Sequence, residues 1–187
     1  MDPLPSSAAL LVVDVQRAFE NPRWGARNNP SAEANVARLL AAWRGSGRLV
    51  IHAHHRSQDP AGLFAPGQAG SEVKPEAKPE RDEAVLFKEV NSAFIGTDLE
   101  RRLEDAGVTH LVICGITTDH CVSTTARMAG NLGFETFVVS DATATFERTG
   151  PDGRHWTAEE MHQSALASLH EEFATVTDTP GLIAHLL

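Results

Sequence analysis

Cys121 closes the run Gly115-Ile116-Thr117-Thr118-Asp119-His120-Cys121, between an apolar stretch, Leu111 to Cys114, and a helix-like stretch, Ala126 to Gly130. A thiol at such a strand-to-helix junction meets unpaired helix amides and the positive end of the helix dipole, both of which favour a thiolate. Two other reactive side chains also stand at strand ends. Asp14 closes Ala9 to Val13, and Lys88 closes Ala84 to Phe87. Brought to one sheet edge, these groups could hydrolyse an amide. The sulfur would attack the carbonyl, the acid would take the thiol proton and return it to the departing amine, and the ammonium would steady the anion. The turn that begins at Gly115 could supply backbone N–H groups to the oxyanion.

Each residue also has a plainer reading. Free cysteines are often inert and buried, an aspartate after a strand often caps its loop, and most lysines at strand ends are solvated. Cys114, inside an apolar run, reads as a core residue with no chemistry.

The elements that would position these groups alternate along the chain. Strand-like runs occur at Ala8 to Val13, Leu49 to Ala53, Ala84 to Phe87, Leu111 to Cys114, Phe134 to Val139 and Phe173 to Val176. Helical patterns fall at Ala32 to Arg44, Asp98 to Ala106, Thr124 to Leu132 and Ala158 to Leu169, with glycine stops at Gly107 and Gly133. Near-continuous apolar strands alternating with helices predict one α/β domain over residues 1–187, a three-layer doubly wound sheet of about six parallel strands. Ligands bind such sheets at the carboxyl ends of the strands, where Asp14, Lys88 and Cys121 all fall. The stretch Ser57 to Asp82, broken by four prolines and three glycines, reads as a long surface loop, either a lid or an oligomer contact.

A formal net charge of −9 and a pI near 5.4 disfavour nucleic acid or an anionic membrane as partner and suit a small neutral or cationic substrate. No apolar stretch approaches the roughly 20 residues that span a bilayer, and Met1-Asp2-Pro3-Leu4-Pro5 lacks the basic start of a secretory signal. The expected compartment is the cytoplasm, with Cys114 and Cys121 as free thiols.

Alternation along a strand puts His52 and His54 on one face, a spacing that could bind a metal, but no third ligand accompanies them. The preferred role for His52, His54 and His55 is to line the pocket wall or hydrogen-bond within the site. His120 could tune the thiol or face a neighbouring subunit. Phe19, Trp24 and Phe94 could wall an apolar pocket or simply pack the core. Phe19 is the best placed, five residues after Asp14.

Three ordered motifs carry a resemblance: Leu11-Val12-Val13-Asp14-Val15-Gln16-Arg17-Ala18-Phe19, Lys88-Glu89-Val90-Asn91-Ser92-Ala93-Phe94, and Gly115 through Val122. From about Ala8 to Thr177 the chain resembles the isochorismatase-like cysteine hydrolases, which include nicotinamidases, carbamoylsarcosine amidohydrolases and ureidoacrylate hydrolases. The resemblance implies a catalytic Asp14-Lys88-Cys121 triad on a six-stranded parallel sheet. It also implies a cis Ile116–Thr117 peptide that turns the Thr117 amide toward the oxyanion beside that of Cys121.

Two departures narrow the activity. Nicotinamidases of this family carry a metal-binding Asp-Trp-His where this chain has His54-His55-Arg56, which disfavours a zinc-dependent nicotinamidase. Isochorismatases acting on a vinyl ether usually lack the cysteine, so Cys121 favours C–N hydrolysis. The expectation is a homodimeric or homotetrameric cysteine hydrolase of a small amide, carbamoyl or ureido compound, with no organic cofactor and no metal. Phe19, His54, Asn91, Phe94 and His120 are expected to contact substrate. The rivals are a metal-assisted amidase using the histidine cluster and a binding protein that kept the fold.

Overall fold

Alternating apolar residues sort each strand onto two faces of one sheet. On β1 (Ala9–Val13), Ala9, Leu11 and Val13 face one core while Leu10 and Val12 face the other. β4 (His110–Ile116) repeats the pattern, with Leu111 and Ile113 against Val112 and Cys114. The computed structural model describes residues 3–186. Met1 and Asp2, which open the N-terminal stretch considered above, and Leu187 lie outside the described residues.

β1, β2 (Val50–His55), β3 (Ala84–Lys88), β4, β5 (Glu135–Ala144) and β8 (Thr175–Thr177) form a parallel sheet in the order β3-β2-β1-β4-β5-β8. A two-stranded antiparallel hairpin, β6 (Arg148–Thr149) and β7 (His155–Trp156), stands beside it. Helices α2 (Leu99–Asp105), α3 (Ser123–Asn131) and α4 (Ala158–Leu169) cover one face. α1 (Ala32–Gly45) and α5 (Thr179–Ala184) cover the other. α1 buries Val36, Leu39, Leu40 and Trp43, the spacing of one helical stripe, and the Trp43 indole donates to the Ala8 carbonyl at 3.2 Å. The expected three-layer α/β architecture is the one observed.

Strand order reverses between β1 and β4, which opens a crevice above their carboxyl ends. Gly115 is essential there. It has φ 125°, and a Cβ would lie 1.9 Å from the Val13 carbonyl oxygen, so only glycine lets the two strands meet.

Several boundaries differ from the sequence expectation. β5 runs on to Ala144, past Val139, because Thr143 and Ala144 pair with Gly115 and Ile116 across a register shift. The last strand is Thr175–Thr177, while Phe173 instead packs beneath the Arg127 guanidinium. α5 escaped the sequence reading because Pro180 looks like a breaker. It sits in the first turn, where proline is tolerated, and Asp178 caps the helix by accepting from the Gly181 amide at 2.8 Å.

The stretch 57–82 is tied down at several points. It holds two 3₁₀ turns, Ala69–Ser71 and Pro75–Ala77, and a bridge from Val73 to Gln16. The buried Gln16 side chain donates to the His55 and Ser71 carbonyls, both at 3.1 Å, and accepts from the His55 amide at 2.8 Å. Lys74 reaches Glu33 of α1 at 2.8 Å.

Candidate active site

Period-two geometry aims Lys88 into the crevice. Leu86 faces the core beneath α3, Phe87 faces outward, and Lys88 follows Leu86 inward as the last residue of β3. Its Nζ lies 2.6 Å from Asp14 Oδ2 and 3.2 Å from the Val90 carbonyl, and both members of the ion pair are buried. Asp14 has φ 52°, a left-handed conformation that breaks the alternation of β1 at its end. Asp14 Oδ1 is buried without a hydrogen-bond partner.

Cys121 lies on the turn Thr118–Val122, which links β4 to α3. The Ile116–Thr117 peptide before this turn is cis, and the Thr117 carbonyl accepts from the His120 and Val122 amides. The Cys121 sulfur approaches Asn91 Oδ1 at 3.8 Å. Burial pushes the Cys121 thiol up; the Asp14 charge adds to this and Lys88 opposes it. Burial also pushes the Asp14 carboxyl up, with Lys88 pulling it back. Burial thus works against the thiolate that the strand-to-helix junction was expected to favour. Cys114 is buried on the opposite face, and burial alone raises its thiol.

A cavity of about 140 Å³ opens on this group. Asp14, Cys121, Thr117, Asn91, His55 and His120 supply its polar lining, and Phe19, Trp24 and Phe64 its apolar wall. Phe19 stands 5.2 Å from Trp24 and 5.1 Å from Phe64 between ring centres, and Phe146 packs behind it at 5.9 Å. Trp24 Nε1 donates to the Ala18 carbonyl at 2.8 Å, which fixes the indole. Thr117 Oγ1 and His55 Nδ1 are buried and unpartnered.

Of the side chains singled out in the sequence, Asp14, Lys88, Cys121, Thr117, Asn91, Phe19, Trp24, His55 and His120 meet here. Phe94 does not. It belongs to the core beneath α3 and stacks on Phe134 at 6.1 Å, because the chain turns at Ser92 and carries the ring away from the crevice. His54 is also absent from the lining. It shares a face with His52, as alternation requires, but that face looks away from Cys121, and its ring packs on Phe87. His55, on the face of Ala53, takes the place expected of His54. The sequence reading placed all three histidines on the pocket wall, and of them His55 takes that place. Phe64 could not be found that way, since it comes from the long loop.

The three histidines turn to different partners. His52 Nε2 is 2.9 Å from Glu83, His54 lies against Phe87, and His55 is on the opposite face. Among the described residues no three His, Cys, Asp or Glu side chains are grouped to hold a metal ion. Burial, reinforced by His52, Arg56 and Lys88, brings His54 down to about 4, so it is neutral near pH 7.

A parallel α/β sheet with a cysteine, an aspartate and a lysine gathered at its switch point is a doubly wound α/β protein with its candidate site at the carboxyl ends of the strands. The Isochorismatase domain model matches residues 8–180, and the chain belongs to that family. It is 47% identical over 175 residues to the isochorismatase family protein YrdC of Bacillus subtilis, spanning 94% of each chain. It is 31% identical to Nicotinamidase 3 of Arabidopsis thaliana, spanning 100% of this chain and 92% of the relative. The crystal structure of a hydrolase of the isochorismatase family from Chromobacterium violaceum superposes with a TM-score of 0.96 at 42% identity, covering 100% of this chain and 98% of that one.

Proposed function

We propose that this protein hydrolyses the C–N bond of a small, uncharged amide, carbamoyl or ureido compound through a thioester on Cys121. The observation that carries the reading is the shared cavity of Cys121 and Asp14, with Asp14 Oδ1 free and Oδ2 held by Lys88. The Cys121 sulfur attacks the substrate carbonyl carbon as its proton passes to Asp14 Oδ1. Concerted transfer suits a thiol raised by burial, because no free thiolate need accumulate. The amides of Thr117 and Cys121 hold the oxyanion. Asp14 then gives its proton to the nitrogen, the C–N bond breaks, and ammonia or an amine departs. Water attacks the thioester with Asp14 as base, which releases the acid and restores the thiol.

Substrate size and charge follow from the lining. A cavity of about 140 Å³ suits a small molecule, and among the described residues no arginine or lysine lines it to pair with a carboxylate on the acyl side. The aromatic wall favours a flat acyl group, while Asn91, His55 and His120 offer hydrogen bonds. Burial lowers His55, so it acts as a neutral partner.

The expected setting is a homodimer or homotetramer in the cytoplasm. Phe87, Val90 and Ile95, each more than 40% exposed, line one groove, an apolar patch that self-association would cover. Among the described residues no helix is long and apolar enough to cross a membrane, and both cysteines are free.

A panel of small neutral amides and ureas, followed for ammonia or amine release, tests the reading. Turnover should vanish in Cys121→Ala with the fold intact, and a trapped acyl group should add its mass to Cys121. Turnover that survives Cys121→Ala would overturn it.

A further inference from the structure

One buried ionisable side chain takes no part in the chemistry above. His162, on α4, is 2% exposed, with Nδ1 2.9 Å from Thr118 Oγ1 and Nε2 3.4 Å from Asn29 Nδ2. Asn29 Nδ2 also donates to the Ser140 carbonyl at 2.9 Å and the Thr143 carbonyl at 2.7 Å, which identifies it as the amide nitrogen. That nitrogen cannot accept, and its two hydrogens already go to those carbonyls, so a ring N–H on the side facing it would have no acceptor. The proton of the neutral ring therefore sits on Nδ1 and is donated to Thr118 Oγ1. Burial lowers His162 and keeps it neutral, against the weaker pull of Glu159 on its own helix and Asp119 on the turn.

Thr118 is the first residue of the turn that carries Cys121, and it follows Thr117 directly. The next residue is also held from outside. Asp119 accepts from Thr145 Oγ1 at 2.5 Å and from Arg148 Nε at 2.9 Å. The nucleophile's turn is thus fastened at Thr118 to α4 and at Asp119 to the chain after β5. His162 touches the Thr118 fastening and, through Asn29, the segment that leaves β1 and carries Phe19 and Trp24. An apolar side chain would fill this slot without the cost of burying an imidazole.

We infer that His162 is a positioning residue: its Nδ1–H bond to Thr118 sets where the turn presents the Thr117 amide and the Cys121 sulfur to the substrate carbonyl. The inference rests on the cysteine-hydrolase reading above. A sulfur and an oxyanion donor displaced together by about 1 Å would cost on the order of 100-fold in rate while leaving the pocket wall in place.

Four variants test it. The Asn29-facing nitrogen is mimicked by His162→Gln, the Thr118-facing nitrogen by His162→Asn, neither by His162→Leu, and Thr118→Val removes the acceptor. Two readouts apply to each: kcat and KM on the best neutral amide, and the iodoacetamide alkylation rate of Cys121 with Cys114 as internal reference. His162→Leu, His162→Gln and Thr118→Val should lower kcat by about 10- to 100-fold with KM within about threefold. His162→Asn should restore most of kcat. The double variant His162→Leu/Thr118→Val should be no worse than either single, as expected of two residues acting through one bond. Alkylation of Cys121 should slow in step with kcat.

Wild-type kcat in His162→Leu, equal loss in the Asn and Leu variants, or additive losses in the double variant would each overturn the inference. Should His162→Leu fail to fold, Thr118→Val decides the matter with the imidazole in place. If wild-type Cys121 alkylates no faster than Cys114 and no amide turns over, the hydrolase reading fails and takes this inference with it. If wild-type Cys121 is fast and stays equally fast in the variants, only the positioning role is lost.

Discussion

Lys88 Nζ lies 2.6 Å from Asp14 Oδ2 although the two residues are 74 positions apart, and both are buried. A buried ion pair contributes little net stability over an apolar pair, but removing one partner strands the other charge. Lys88→Met should therefore lower stability by about 3–5 kcal/mol in urea unfolding, and activity should be lost. The double variant Asp14→Asn/Lys88→Met should recover most of the stability and none of the turnover. Losses in the two single variants that simply add in the double variant would show that the pair is not coupled.

Stability should fall on acidification below pH 6.5. His54 has its usual value near 6.5 in the unfolded chain and about 4 in the fold, so the unfolded state binds more protons between those limits. Its contribution is complete above pH 6.5 and is lost as pH drops toward 4, about 3 kcal/mol in all. Burial lowers His52 as well, and it acts with the same sign, whereas the raised Asp14 acts with the opposite one. Urea midpoints from pH 8 to 4.5 should decline for the native protein and decline less for His54→Gln. A flat or rising profile in the native protein would contradict the assignment.

Asp14 must be ionised to accept the thiol proton, and burial raises it. The acid limb of kcat/KM should accordingly lie above the ordinary aspartate value of about 3.8. A limb at or below that value would show that Asp14 is not the titrating base.

Phe64 and His55 should define the substrate. Phe64→Ala removes one face of the aromatic wall and should raise KM by about tenfold with a smaller change in kcat. His55→Ala should lower kcat/KM on substrates with a polar acyl atom, while His54→Gln leaves it near native. The reverse order for the two histidines would restore His54 to the site.

Gly115→Ala should not yield a folded enzyme. The added methyl group would meet the Val13 carbonyl at 1.9 Å in the paired centre of the sheet, with φ at 125° besides. Native-like circular dichroism and thermal unfolding in that variant would refute the close approach of β1 and β4.

Much of this molecule was legible in the chain itself. Apolar runs and glycine stops marked six strands and four helices because burial on both faces imposes a local pattern, and strand ends marked Asp14, Lys88 and the turn to Cys121. The boundaries that slipped were set elsewhere: β5 reaches Ala144 through its pairing with β4, and α5 depends on a cap that offsets the breaker character of Pro180.

Which side chains share a cavity was decided only by the tertiary structure. Local periodicity says that His54 and His55 point opposite ways, but not which face of the sheet carries Cys121. Phe94 lies in the right motif yet turns into the core, while Phe64 enters the pocket from a loop with no pattern, held by Gln16. The bond from His162 to Thr118 spans 44 residues and joins two elements that no local rule relates. Side-chain type and strand position are properties of neighbours along the chain; a pocket is a property of neighbours in space, fixed when the layers pack.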